Sequence, residues 1–277
     1  MEQSKSPCLV AIIACYYPDY FEESLKKLKL LLMSIDKNHS ILIVNNSECQ
    51  FVSEGTNLIK GSNVFWEFSA WDEGVEYFKI HNIDVSESTF IFLNDTFCAH
   101  RIFSFLDLYL FKKSIQKVMS RKYDFAGEVN SFGETFSVKK NCADKWISTY
   151  FFAIRASKLE LIGKFCKFSP QDSKLEVDFK SRKIHIAECS TNLIEHLEKW
   201  FFPKTKQLGW YKNDSKVNND TLIKLKLTAI LNEKLLSIVA LSQNLKLVDV
   251  YGHKLAKLYL LGRKFLFKFV ISPYKKY

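Results

Sequence analysis

The residues of this chain that could do chemistry lie in three short polar clusters and one helix-spaced pair of acids. Tyr16-Tyr17-Pro18-Asp19, Asn45-Asn46-Ser47 and Asn94-Asp95-Thr96 each follow an apolar run. In open α/β sheets, ligands bind outside the carboxyl ends of the strands. One polar strand end is ordinary turn chemistry, but three converging on one sheet edge predict a pocket. Asp95 also reads as a turn or helix-capping residue, and Tyr16 and Asn46 as turn residues. Asp72 reads as a helix-start acid favoured by the helix dipole. Glu195 and Glu198 stand three apart in Ile194-Glu195-His196-Leu197-Glu198. That spacing puts both on one helix face, which is either a solvated face or a place for proton transfer.

Several other chemistries have no sequence support. No G-x-G-x-x-G follows the first apolar run, and neither a P-loop nor a G-x-S-x-G elbow occurs. The six His include no H-x-x-x-H pair, so a multi-histidine metal site is disfavoured. The seven Cys are odd in number and contain no C-x-x-C, which reads as reduced thiols in a cytosolic protein.

The elements that must position the polar clusters alternate. Leu9–Tyr17 is a continuous apolar run, as expected of a parallel strand covered on both faces. Phe21, Leu25, Leu28 and Leu32 then recur at helical spacing. Ile41–Val44, Asn63–Phe68 and Thr89–Leu93 read as further strands, with helices starting at Trp71 and spanning Ile102–Met119. Beyond residue 122, strands are expected at 124–129, 135–138 and 148–154. Helices are expected at 156–166, 191–202, 222–236 (amphipathic) and 251–270. The alternation predicts an α/β class with a mostly parallel central sheet flanked by helices and a C-terminal helical basic extension. With no linker rich in Gly, Pro or Ser, residues 1–240 read as one unit, with a first half at about 8–122 and a second at about 123–240. Residues 241–277 read as a tail.

Composition sets the outer bounds. Aromatics make up 15% of 277 residues and Gly and Pro are few, which excludes a disordered or collagen-like chain. No uncharged apolar run reaches the roughly 18 residues of a spanning helix, and the first residues lack the basic region and cleavage site of a signal peptide. The net charge of +10 is unevenly placed. Residues 1–198 carry 24 Lys/Arg against 26 Asp/Glu, and residues 199–277 carry 16 against 4. The basic third predicts an anionic surface as partner. Lys254, Lys257, Lys264 and Lys268 fall near one helical stripe, and Leu255, Leu258, Tyr259, Leu266 and Phe269 on another. That is the pattern of an interfacial helix on anionic lipid. Nucleic acid is disfavoured because no binding motif accompanies the charge.

Four segments together resemble the GT-A fold nucleotide-sugar glycosyltransferases, and within them the family-2-like and rhamnan-synthesis-type bacterial enzymes. Val10–Asp19 is similar to the family's first strand and its turn. Ile43-Val44-Asn45-Asn46-Ser47 is similar to a V-D-N-x-S strand end, with Asn45 where Asp is commoner. Phe90–Thr96 is similar to the strand carrying a DXD-type motif, and Trp146–Arg155 to an H-x-Q-S-Y-F segment. The resemblance covers about residues 8–210 and implies an inverting glycosyltransferase. Its donor would be a UDP- or dTDP-linked sugar. Its acceptor would be a glycan or glycolipid of the O-antigen or capsule kind, used in polysaccharide or lipopolysaccharide synthesis. Tyr16, Asn45, Asn46, Asp72, Asn94, Asp95 and Thr96 would bind the donor, and Asp95 would hold Mg²⁺ or Mn²⁺ against the diphosphate. Asn94 stands where a second aspartate is usual, so a metal-independent reaction stays open. Glu195, or else Glu198, would be the base, with Gly209 as the later glycine of that segment. The implied location is cytoplasmic, peripheral on the inner face of the cell membrane, held by the tail. The other reading is a non-catalytic binding protein with a degenerate GT-A fold at membrane or RNA surfaces.

Overall fold

Strands that are apolar on both sides form the middle of a seven-stranded sheet. The computed structural model describes residues 6–51, 53–99, 101–169, 174–202 and 220–266. In chain order the sheet strands are β1 Leu9–Cys15, β2 His39–Asn45, β3 Asn57–Lys60, β4 Thr89–Asn94, β5 Phe125–Val138, β6 Asn141–Arg155 and β9 Leu247–Asp249. A separate hairpin is formed by β7 Glu176–Asp178 and β8 Lys183–His185. The sheet order is β3-β2-β1-β4-β6-β5-β9. β3, β2, β1 and β4 are mutually parallel, β6 is antiparallel to β4, and β9 is parallel to β5. This is the expected α/β class, with a mostly parallel central sheet flanked by helices.

The helices are α1 Pro18–Ile35, α2 Glu67–Ile80, α3 Phe105–Met119, the single turn α4 Leu159–Ile162, α5 Thr191–Phe201, α6 Asp220–Ser242 and α7 Lys254–Leu266. Pro18 starts α1 at a position where its missing N–H costs nothing. Leu25, Leu28 and Leu32 then face the sheet and are buried. Each such side chain contributes about 1.5–3 kcal/mol of transfer free energy. α2 lies so close to β1 that a Cβ on Gly74 would stand 2.6 Å from Ile12 Cγ2. Trp71, buried on α2, donates its Nε1–H to the Leu93 carbonyl at 3.1 Å.

Contacts divide the chain into two units. The first is 1–129, 147–163 and 244–277, and the second is 130–146 and 164–243. Neither the expected boundary at 122/123 nor that at 240/241 coincides with these units. Residues 244–266 group with the first because β9 pairs with β5 and because α7 buries one face. On that face Asp107, fully buried in the first turn of α3, accepts hydrogen bonds from the Tyr251 and Tyr259 hydroxyls at 2.6 Å each, and pairs with Arg263. Asp107 also closes a capping box with Ser104. Tyr259 therefore belongs to the inner face of α7, not to the outer apolar stripe expected of it. Leu255, Leu258, Leu261 and Phe265 form the outward face and are 60–71% exposed. Lys268 and Phe269 lie outside the described residues.

Other elements also differ from expectation. The third strand is Asn57–Lys60, because Asn63 and Trp66 take positive φ (54° and 55°) and the chain enters α2 at Glu67. The two short strands expected after 122 are the single 14-residue β5. Segment 156–166 yields a 3₁₀ turn and one α-turn, stopped by Gly163 at φ 68°. α6, expected to be amphipathic, has no one-sided apolar face and buries residues on all sides, Asn232 and Lys234 among them. There Asn232 satisfies the backbone N–H groups of Lys167 and Phe168. Among the described residues, no helix is long and apolar enough to cross a membrane.

Candidate functional site

The strand register sets the site. Cys15 lies opposite Asn45, Ala14 opposite Asn94, and Asn45 opposite Lys60. The three polar clusters therefore leave the sheet side by side, at the carboxyl ends of β1, β2 and β4. All of them belong to the first unit.

At the centre of this edge is Asp95, only 2% exposed. Its Oδ2 accepts the backbone N–H groups of Tyr16 and Tyr17, each at 2.6 Å. Its own carbonyl accepts the Ser24 hydroxyl at 2.5 Å. The carboxylate thus holds the β1–α1 turn. Burial pushes its pKa up to about 6, with a smaller push from Glu67, against the pull of the two N–H groups. Asn94 accepts the Thr96 hydroxyl at 2.8 Å. Asn45 accepts the N–H and hydroxyl of Ser47 at 2.8 and 3.0 Å and donates to the Cys49 carbonyl at 2.7 Å. Asn46 donates to the Trp66 carbonyl at 2.9 Å. Its Oδ1 is buried without a partner among the described residues and faces Gly61. A Cβ on Gly61 would sit 2.1 Å from that oxygen, so a larger residue there would displace the Asn46 side chain.

The rim offers more to a ligand than the floor does. Tyr16 and Tyr17 are 49% and 45% exposed. Their rings meet edge to face at 4.9 Å, and Tyr17 lies 5.4 Å from Tyr20. An aromatic step of this kind can stack a flat base. Burial, then Asp95, raises the Tyr17 hydroxyl above its ordinary pKa, so it stays a donor. The acid in the first turn of α2 is Glu67, not Asp72, because the helix starts four residues earlier than the sequence pattern implies. Asp72 lies one turn further on, partly exposed. Glu67 lies near enough to act on both Asp95 and Tyr17. Sequence reasoning missed it because Glu67 falls inside Asn63–Phe68, which reads as a strand.

Glu195 and Glu198 lie on α5 in the second unit, on one face as expected. Glu198 accepts Lys183 Nζ and the Ile184 N–H, both at 3.0 Å, and so ties α5 to β8. Glu195 is 57% exposed and pairs with Lys199 at 3.9 Å. Gly209 lies outside the described residues.

The described residues do not fit a resident divalent cation. No group of three or more His, Cys, Asp or Glu is placed to hold one, and the Asp95 carboxylate is buried and engaged by backbone N–H groups.

No protein-family model matches the chain, and no curated protein does. Among solved structures, the chain is similar to a 4-diphosphocytidyl-2C-methyl-D-erythritol synthase. The identity is 9% and the TM-score 0.38, over 57% of this chain and 77% of that one. A likeness of that size assigns no activity.

Proposed function

We propose that the chain is an inverting glycosyltransferase that takes a UDP- or dTDP-linked sugar at the carboxyl edge of β1, β2 and β4. The observation that carries this reading is the parallel register, which brings Tyr16, Tyr17, Asn45, Asn46, Asn94 and Asp95 to one edge beside an exposed tyrosine step. In the reaction the acceptor hydroxyl oxygen attacks the anomeric carbon. The bond from that carbon to the diphosphate oxygen breaks, and the hydroxyl proton passes to a carboxylate. Of the two acids on α5, Glu195 is the base that the resemblance implies, and Glu198 is engaged by Lys183 and Ile184. Because the residues do not fit Mg²⁺ or Mn²⁺, no step is assigned to a metal. The acceptor class is a lipid-linked or surface polysaccharide of the O-antigen or capsule kind, reached at the inner membrane surface. The basic 199–277 segment and the outward leucine face of α7 support that placement.

A second reading, a non-catalytic binding protein at a membrane or RNA surface, draws on the same edge. Asp95 and Asn45 are engaged by their own backbone and neighbours. Incubation with a panel of UDP- and dTDP-sugars and a lipid-linked glycan separates the two. The glycosyltransferase reading expects release of nucleoside diphosphate with one donor. Binding without release across the panel would favour the second reading, and neither binding nor release would remove both.

A further inference from the structure

A second polar cluster lies on the same sheet edge. β6 runs antiparallel to β4 with Phe151 opposite Leu93. Tyr150 therefore lies one step beyond the last pair, where β4 delivers Asn94 and Asp95. Arg101, in the connection that leaves β4, lays its guanidinium over the Tyr150 ring, 3.3 Å from the centroid. The Tyr150 hydroxyl donates to Glu128 Oε2 at 2.8 Å, and Lys264 of α7 donates to Glu128 Oε1 at 2.5 Å. All four residues belong to the first unit.

Glu128 is buried, yet its carboxyl stays below the ordinary value. Burial raises it, but Lys264 and then Arg101 outweigh burial. Two cations thus face one carboxylate. Of the other acids nearby, Asp107 already pairs with Arg263 and two tyrosine hydroxyls, and Asp249 accepts the backbone N–H groups of Val129 and Tyr251. A guanidinium that served only to neutralise Glu128 would hydrogen-bond it. Arg101 instead stops 3.9 Å away, and its Nε is buried with no acceptor among the described residues. The Arg101 side chain is 28% exposed and that of Lys264 50%, so solvent-borne anions can reach both. Stacking fixes the plane of the guanidinium, and a fixed fork matches phosphate geometry.

We propose that Arg101 and Lys264, oriented by Tyr150 and Glu128, form a diphosphate-binding pair that supplies the positive charge a divalent cation would otherwise bring to this edge. The inference rests on reading the edge as a nucleotide site. It names the phosphate-holding residues and makes binding independent of metal.

The test is calorimetry on the full chain in EDTA at low salt, with inorganic pyrophosphate, UDP, dTDP and uridine as ligands. Pyrophosphate and one nucleoside diphosphate should bind without metal. Arg101→Gln and Lys264→Gln should each weaken both by about tenfold or more, the loss of one charge-assisted contact. Uridine binding should not change. Lys264→Arg, which keeps the pairing with Glu128, should retain pyrophosphate affinity, and Arg101→Lys should lose most of it. Melting curves identify any variant that fails to fold, and the two conservative variants then decide. Unchanged pyrophosphate affinity in folded Arg101→Gln would overturn the proposal, as would pyrophosphate binding that appears only with Mg²⁺. If pyrophosphate binds through the pair but no nucleoside diphosphate binds better than it, the pair stands and the nucleotide reading falls.

Discussion

Asp95 shows how one side chain can serve both a fold and a site. Its carboxylate is the acceptor for two part-buried backbone N–H groups. Asp95→Ala leaves them without a partner and should destabilise the chain by about 3 kcal/mol, since a buried donor left unpaired costs roughly 1–3 kcal/mol. Asp95→Asn keeps an oxygen acceptor and should stay within about 1 kcal/mol of the parent, because burial already favours a neutral group there. Urea denaturation at pH 7 measures both. Equal stability of all three proteins would contradict the role of Asp95 in holding the turn. Lys234 gives a second residue-scale test. It is 4% exposed on α6, pairs with Glu233 at 3.5 Å, and holds its ammonium over the Trp146 ring. Burial lowers its pKa to about 8, against 10.5 for an ordinary lysine. Between those values the unfolded chain binds more protons than the folded one, so this group makes stability rise with pH. Lys234→Met should abolish that rise. At pH 7 the variant should be more stable by about 1 kcal/mol, because the burial penalty exceeds the roughly 2 kcal/mol of a desolvated cation–π contact. Stability curves of the two proteins from pH 7.5 to 10.5 (our choice of range) that run parallel would contradict this.

At the scale of elements, α7 holds to the first unit through a buried ion pair. Arg263→Ala would leave Asp107 charged and unpaired, which typically costs about 3–5 kcal/mol. A loss under about 1 kcal/mol in chemical denaturation would mean that α7 is only loosely attached. Gly74→Ala should likewise cost about 1–3 kcal/mol by pushing α2 off β1. The sequence made β1, β2 and β4 legible, because strands buried on both faces read as unbroken apolar runs. The carboxyl-edge clusters were legible for the same reason. β3 was not, since a four-residue strand that is mostly exposed carries little pattern. β5 reads as two strands in the sequence because its middle, Asn130-Ser131-Phe132-Gly133-Glu134, carries turn residues inside a strand. The capping box at Ser104 and Asp107 has a local S-x-x-D spelling, but the pairing of Asp107 with Arg263 spans 156 residues and has none. For the same reason the Arg101–Tyr150–Glu128–Lys264 cluster stays invisible until the sheet is assembled.

For the whole molecule, the uneven charge and the outward face of α7 belong together. Leu255→Asp with Leu258→Asp should weaken sedimentation with anionic vesicles at low salt, while leaving the melting temperature unchanged because both side chains face solvent. Lys254→Gln with Lys257→Gln should act as raised salt does, through screening of surface charge. Equal sedimentation of all proteins would remove the membrane from the account. Substitutions serve this test better than truncation, because deleting residues 245–277 would also remove β9 and the partner of Asp107. The central claim is that the carboxyl edge of β1, β2 and β4 holds a nucleotide-sugar. Thermal unfolding with a panel of UDP- and dTDP-sugars, run on the parent chain and on Tyr16→Ala with Tyr17→Ala, tests it most directly. The account predicts that one sugar nucleotide, at 100 times its dissociation constant, stabilises the parent by about 2.7 kcal/mol. The paired tyrosine variant should lose most of that gain. No shift with any member of the panel, or a shift equally large in the variant, would contradict it.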